Sequence, residues 1–174
     1  MSLDLPEGRV DYWDGHRWQI VNPAPLVAQA ESLLCLPESE FRQALKAFNA
    51  SVDRCVLYPA DDDFGAVVLE ALADACTDAG RKQRLYAAAA RRAGGHASGA
   101  SSGGEGIARS MHWKRIIRKL ARKYEPMRDG GKSAQEVGAC AAADGLDRGD
   151  VVTVLREVFD LTADEAIKVA HEGG

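Results

Sequence analysis

"GGHASGASSGGEG", residues 94–106, decides how the rest of this chain is divided. Six of its thirteen residues are glycine and three are serine. A segment with so little to bury and so much backbone freedom reads as a flexible coil, with a root-mean-square span of roughly 20 Å. A structureless loop of that length fits poorly inside one compact domain. The expectation is therefore a first part over 1–93, a Gly/Ser linker over 94–106 and a second part over 107–174.

Charge changes sharply across that boundary. Residues 107–125 carry seven basic side chains and one acidic, whereas 126–174 carry five basic and ten acidic. The net charge of −4 for the 174 residues thus conceals a cationic segment beside an acidic one.

The cationic segment, "MHWKRIIRKLARKYEP", reads as the strongest helix. Trp113, Ile116, Ile117, Leu120 and Tyr124 recur at helical spacing as one apolar stripe. Lys114, Arg115, Arg118, Lys119, Arg122 and Lys123 take the other faces, and Pro126 ends the run. Those six cations are the candidate anion- or nucleic-acid-binding residues, unless the acidic 126–174 segment neutralises them internally. Three more helices follow. Ser133 with Glu136 and Thr162 with Glu165 are capping boxes, Gly145 fits a helix C-terminus, and Asp147 can cap the helix after it. Val151, Val152, Leu155, Val158 and Phe159 form one buried stripe; Ala166, Ile167 and Ala170 form the next. The region reads as a small helical bundle. A helix-turn-helix is disfavoured because Asp164 and Glu165 would open the recognition helix and face phosphates.

Upstream of the linker, "GRVDYWDGHRWQIV", residues 8–21, is a hairpin signal: Asp-Gly between two alternating runs. The expected register is a three-residue turn with Gly15 as a G1 bulge, so that Tyr12 faces His16 and Val10 faces Trp18. Val10, Tyr12, His16, Trp18 and Ile20 would then share the buried face, with Tyr12 and Trp18 acting as a lid on the first core. Trp13, at the turn, is the residue expected to dock a partner, and Tyr12, Trp13 and Trp18 are the candidate partner-binding set.

Helical spacing then predicts one helix from Pro25 through Leu34 and a second, over "PESEFRQALKAFN", that buries Phe41, Leu45 and Phe48. "RCVLY", 54–58, is β-prone and reads equally as a strand or a buried connection. A helix opens at Asp61–Asp63, its core face marked by Phe64, Val67, Val68, Leu72, Ala75 and Cys76 and its end by Gly80; "RKQRLYAAAARRA" is the last before the linker. The three aspartates read as helix caps rather than metal ligands, lacking the glycine and closing glutamate of a calcium loop.

The fold class is thus mainly α: an N-terminal β-hairpin on a small helical domain, a flexible linker and a C-terminal helical bundle. Two short stretches resemble known families. "YWDGHRW", 12–18, is similar to a Tyr-Trp-Asp-Gly hairpin module of actinobacterial proteins, which implies a small interaction element. "GDVVTVLREVFDLTADEAIKVAHE", 149–172, resembles the helical hairpin of the ribosomal protein L7/L12 C-terminal domain through Val152, Leu155, Arg156, Leu161, Glu165, Ala166 and Val169, which implies an αα-hairpin.

No catalytic residue, cofactor or metal is expected. His16, His96, His112 and His171 are scattered, and none of the common nucleophile, zinc or phosphate-loop motifs occurs. Cys35, Cys55, Cys76 and Cys140 form no CxxC pair and read as buried reduced thiols. Spatial assembly of a Cys–His pair, for instance Cys55 with His16, would favour an enzyme. No apolar run is long enough to span a membrane, and "MSLDLPEG" reads as no signal peptide, so the expected location is cytoplasmic. The expected function is a non-catalytic bacterial protein-interaction module: an adaptor, regulator or immunity-like protein. The alternative is a nucleic-acid-associated regulator acting through 113–124.

Overall fold

Hairpin strands β1 (Arg9–Trp13) and β2 (Trp18–Val21) open the chain. The computed structural model describes residues 2–58, 60–95 and 103–172. The hairpin is paired Trp13 to Trp18, Tyr12 to Gln19, Asp11 to Ile20 and Val10 to Val21. This differs from the expected G1-bulge register. The turn has four residues because Asp14 organises it: its Oδ1 accepts from the backbone N–H of His16 (2.7 Å) and Arg17 (2.8 Å). An aspartate that satisfies two turn amides holds the wider loop. The pairing consequently puts Trp18 and Ile20 on the face opposite Val10.

Helices α1 (Ala24–Ser32) and α2 (Glu38–Ser51) follow, and α2 buries Phe41, Leu45 and Phe48 as its spacing predicts. The segment 54–58 resolves as a strand. β3 (Cys55–Tyr58) pairs antiparallel with β1, Val10 to Leu57 and Tyr12 to Cys55, and β4 (Asp62–Asp63) pairs with β3. The sheet order is β2-β1-β3-β4.

Helix α3 (Phe64–Ala75) lies at the centre of the molecule, against α1, β3, β4 and α4 (Ala79–Gly95). Ala66, Val67, Val68, Leu69, Leu72 and Ala73 are all buried, so it lacks the half-polar character of a surface helix. It ends at Ala75, not at Gly80, which lies in the first turn of α4. Asp63 caps α3, accepting from Ala66 N–H at 2.8 Å, and pairs with Arg92 of α4, whose guanidinium also donates to the carbonyls of Asn49 and Val52. Gly65 makes room for that arginine: a Cβ there would collide with Arg92 Nε and lie 2.5 Å from Val52.

Helix α5 spans Gly103–Ala121, then α6 (Glu125–Asp129), α7 (Ala134–Ala143), α8 (Arg148–Phe159) and α9 (Ala163–Glu172). Pro126 sits in the first turn of α6, where its missing N–H costs no hydrogen bond. Both capping boxes form, at Ser133/Glu136 and Thr162/Glu165, and α8 and α9 make a helical hairpin. On α9 Ala166 is fully buried, while Ile167 faces solvent instead of the core.

The segment 94–106 is shorter as a connection than expected. Gly94 and Gly95 end α4, Gly103 begins α5, and the centre of the segment, 96–102, lies outside the described residues. The two sides do not collapse separately. One continuous interior runs from Val10 and Phe48 through Leu69 and Leu85 to Ile116, Leu120 and Leu155. Helices α4 and α5 pack directly on each other, and Gln83 on α4 donates to the Leu120 carbonyl at 2.9 Å in the buried seam. Gly94 permits the approach, since a Cβ would lie 2.9 Å from the Trp113 ring. The physical reason is the apolar stripe of α5. Burying an isoleucine or leucine is worth about 1.5–3 kcal/mol, and α4 is the helix on which α5 packs most extensively.

Candidate functional site

Strand β1, inside the sheet between β2 and β3, turns Val10 and Tyr12 inward, above Leu57 and Cys55. Alternation therefore turns Arg9, Asp11 and Trp13 outward, with Trp18 and Ile20 of β2 and Val56 and Tyr58 of β3 beside them. Trp18 is 55% exposed, Ile20 73% and Tyr58 53%. The Trp13 and Trp18 rings meet across the strands with centroids 5.3 Å apart and planes tilted by 52°. Arg9 donates to both oxygens of Asp11 (2.8 and 3.0 Å), and its guanidinium lies 4.7 Å from the Tyr58 ring centroid. This outer face is apolar where a solvated sheet face is ordinarily polar.

Two of the three expected partner-binding residues, Trp13 and Trp18, stand together on this face. Tyr12 does not. It lies on the inner face, half-buried, lining a cleft of about 530 Å³ with Val21, Pro25, Leu26 and Cys55. Trp18 is a surface residue, not a lid. Ile20 and Tyr58 join the face although neither belongs to the expected partner-binding set. Ile20 was misplaced by the register, and Tyr58 is brought alongside only by the long-range pairing of β3 with β1. The alternation in "CVLY" is the signal that could have found it.

The basic helix is divided by the same tertiary packing. Glu70, buried in α3, receives His112 Nε2 (3.0 Å), Arg115 Nε and Nη2 (3.0 Å each) and Lys119 Nζ (2.9 Å). Burial alone would push the Glu70 carboxyl up, yet the hydrogen bonds from His112, Arg115 and Lys119 outweigh it and hold the group well below the usual carboxylate range. An ionised Glu70 can only accept, so Nε2 of His112 carries the proton in that contact. Lys119 also reaches Asp74, and Lys123 reaches both oxygens of Asp144 at 2.8 Å. Three of the six candidate cations, Arg115, Lys119 and Lys123, are thus spent on internal acids, but only the Lys123–Asp144 pair uses the 126–174 segment from which neutralisation was expected. The acids come largely from the first part of the chain. Lys114, Arg118 and Arg122 remain exposed, four residues apart on one stripe, with no ion pair among the described residues.

Cys55 is buried and its thiol is pushed up, by burial first and then by Asp63, the opposite of what an attacking thiolate needs. His16 is exposed in the hairpin turn and His112 is engaged by Glu70. The expectation of four buried thiols holds for Cys55 and Cys76; Cys140 is half-buried and Cys35 exposed, because α1 ends before it. Among the described residues no group of three or more His, Cys, Asp or Glu side chains is placed to hold a metal ion, and no helix is long and apolar enough to cross a membrane.

No family model, curated protein or solved structure matches this chain.

Proposed function

We propose that this chain is a non-catalytic protein-interaction module that docks another protein on the outer face of its sheet, with Trp13, Trp18, Ile20 and Tyr58 as the contact residues. The observation that carries this is the pair of exposed residues on β2, Trp18 and Ile20, beside Tyr58 on the same face. Tryptophan and tyrosine supply large contact area at little entropic cost, and they dominate interface hot spots. Adaptor, regulator and immunity-like roles all fall within this reading.

A photo-crosslinking amino acid at position 20 tests it. A discrete adduct with one protein is expected in the native host, lost on adding Trp18→Ala and absent when the crosslinker replaces Lys46 on α2. Failure to form an adduct from position 20, or an adduct indifferent to Trp18→Ala, refutes the assignment.

A second reading, nucleic-acid binding through α5, is favoured by one observation: Lys114, Arg118 and Arg122 form an exposed stripe with no ion pair among the described residues. Three phosphate contacts would give a log–log salt slope of about −2.7 on duplex DNA. That slope should vanish in the Lys114→Gln, Arg118→Gln, Arg122→Gln triple variant. Absent or salt-insensitive binding removes this reading.

A further inference from the structure

The seam between α4 and the first turn of α8 carries charges that the proposed docking face does not use. Asp147 caps α8, its Oδ1 accepting from Asp150 N–H at 3.0 Å. From α4, a single nitrogen of Arg91, Nη1, donates to Asp147 Oδ2 at 2.8 Å and to Asp150 Oδ2 at 2.6 Å. The two carboxylates differ in surroundings. The Asp147 side chain is 64% exposed, whereas that of Asp150 is 9% exposed. Beside them opens a groove of about 460 Å³ between α2, α4 and the α7–α8 turn, lined also by Phe41, Arg42, Arg84 and Leu146.

The charged groups around Asp150 can be named element by element. Arg91 faces it from α4, and Asp147 precedes it on its own helix. Arg42 of α2 and Arg84 of α4 line the same groove, and Arg84 is already paired with Glu38. An ionised Asp150 must therefore share one guanidinium charge with a second carboxylate while its side chain is largely cut off from water, which favours either its protonation or its exposure.

We propose that Asp150 is a proton-operated latch: protonated, it keeps the first turn of α8 seated on α4, and ionised, it favours a state in which that turn lifts and the groove widens. Burial raises the Asp150 carboxyl to about 6, against the lowering effect of Arg91, so the transition lies on the acid side of neutrality, between the ordinary aspartate range and about 6. A group raised in the closed state favours closure fully below the ordinary aspartate range, and that preference is lost as pH rises through about 6. A displacement of about two pH units permits up to roughly a hundredfold change in the open population.

Amide hydrogen exchange on the full chain, corrected for intrinsic rates, tests the latch. Protection of Val151–Leu155 is expected to fall by about fivefold to tenfold between roughly pH 5 and pH 8, while that of Ile116–Leu120 in α5 changes less than about twofold. Asp150→Asn should abolish the difference. Asp147→Asn, which removes the competing carboxylate and leaves Arg91 to Asp150, should move the midpoint to lower pH. The proposal is overturned if the fall persists in Asp150→Asn, if it is absent from the wild type, or if Asp147→Asn leaves the midpoint where it was.

Discussion

Replacing Glu70 with glutamine should destabilise the whole chain and not merely loosen α5. The side chain is 8% exposed and lies in α3, while every group that bonds it belongs to α5. The exposures of those partners set the magnitude. Arg115 is 55% exposed, so its contribution is screened and small. His112 at 3% and Lys119 at 24% are sheltered. Two sheltered hydrogen bonds to a charged acceptor, each worth about 1.5–3 kcal/mol and not additive, give a loss of about 3 kcal/mol when the charge is removed and the amide hydrogens turn toward Lys119 or Arg115. For a chain of this size that corresponds to a fall in Tm of about 6–12 °C. Thermal unfolding followed by far-ultraviolet circular dichroism and by tryptophan emission measures it, and the two signals should move together because one interior joins both sides of the linker. The pH dependence has a definite sign. Glu70 is held below its ordinary value, so its stabilisation is present above the usual carboxylate range, about 4.3, and disappears as pH falls through the depressed value. Wild type and Glu70→Gln should therefore converge in acid. A loss under about 0.5 kcal/mol at neutral pH, or tryptophan and helix signals that separate, would refute the claim that this carboxylate fastens the two parts together.

Further expectations are more local. Glu38→Gln removes a pair whose acid is 61% exposed; although Arg84 and then Arg81 hold that carboxyl down to about 2, the change in stability should stay within about 0.5 kcal/mol, read by urea denaturation. Gly65→Ala should cost about 2 kcal/mol despite the better helix propensity of alanine, because the added methyl displaces Arg92 from Asp63 and crowds Val52; the same urea titration reports it. Ser133→Ala, which deletes one half of the α7 capping box, should cost about 1 kcal/mol in thermal unfolding. Ile20→Ser should leave Tm within about 2 °C of wild type, because the side chain is 73% exposed, while abolishing capture of a partner on the outer face.

Much of this fold was legible from local physics. Helical spacing located α2 with its buried Phe41, Leu45 and Phe48, and α5 with Ile116, Ile117 and Leu120. The capping chemistry of Ser133, Asp147 and Thr162 depends on neighbours three residues away, so it is written in the sequence itself. Asp-Gly announced a hairpin, but not its pairing. Whether the turn has three or four residues depends on the two amides that Asp14 satisfies, and the difference moved Trp18 and Ile20 from core to surface. What a cationic stripe touches is equally non-local. Glu70 and Asp74 lie more than forty positions before the α5 side chains they bind, and no periodicity within 107–125 could mark Arg115 and Lys119 as taken and Lys114, Arg118 and Arg122 as free of ion pairs among the described residues. The glycine–serine run suggested separation because its composition has nothing to bury. The helices on either side of it have a great deal to bury, and they bury it in one continuous interior, because a single larger core shields a greater share of its surface from water than two small ones.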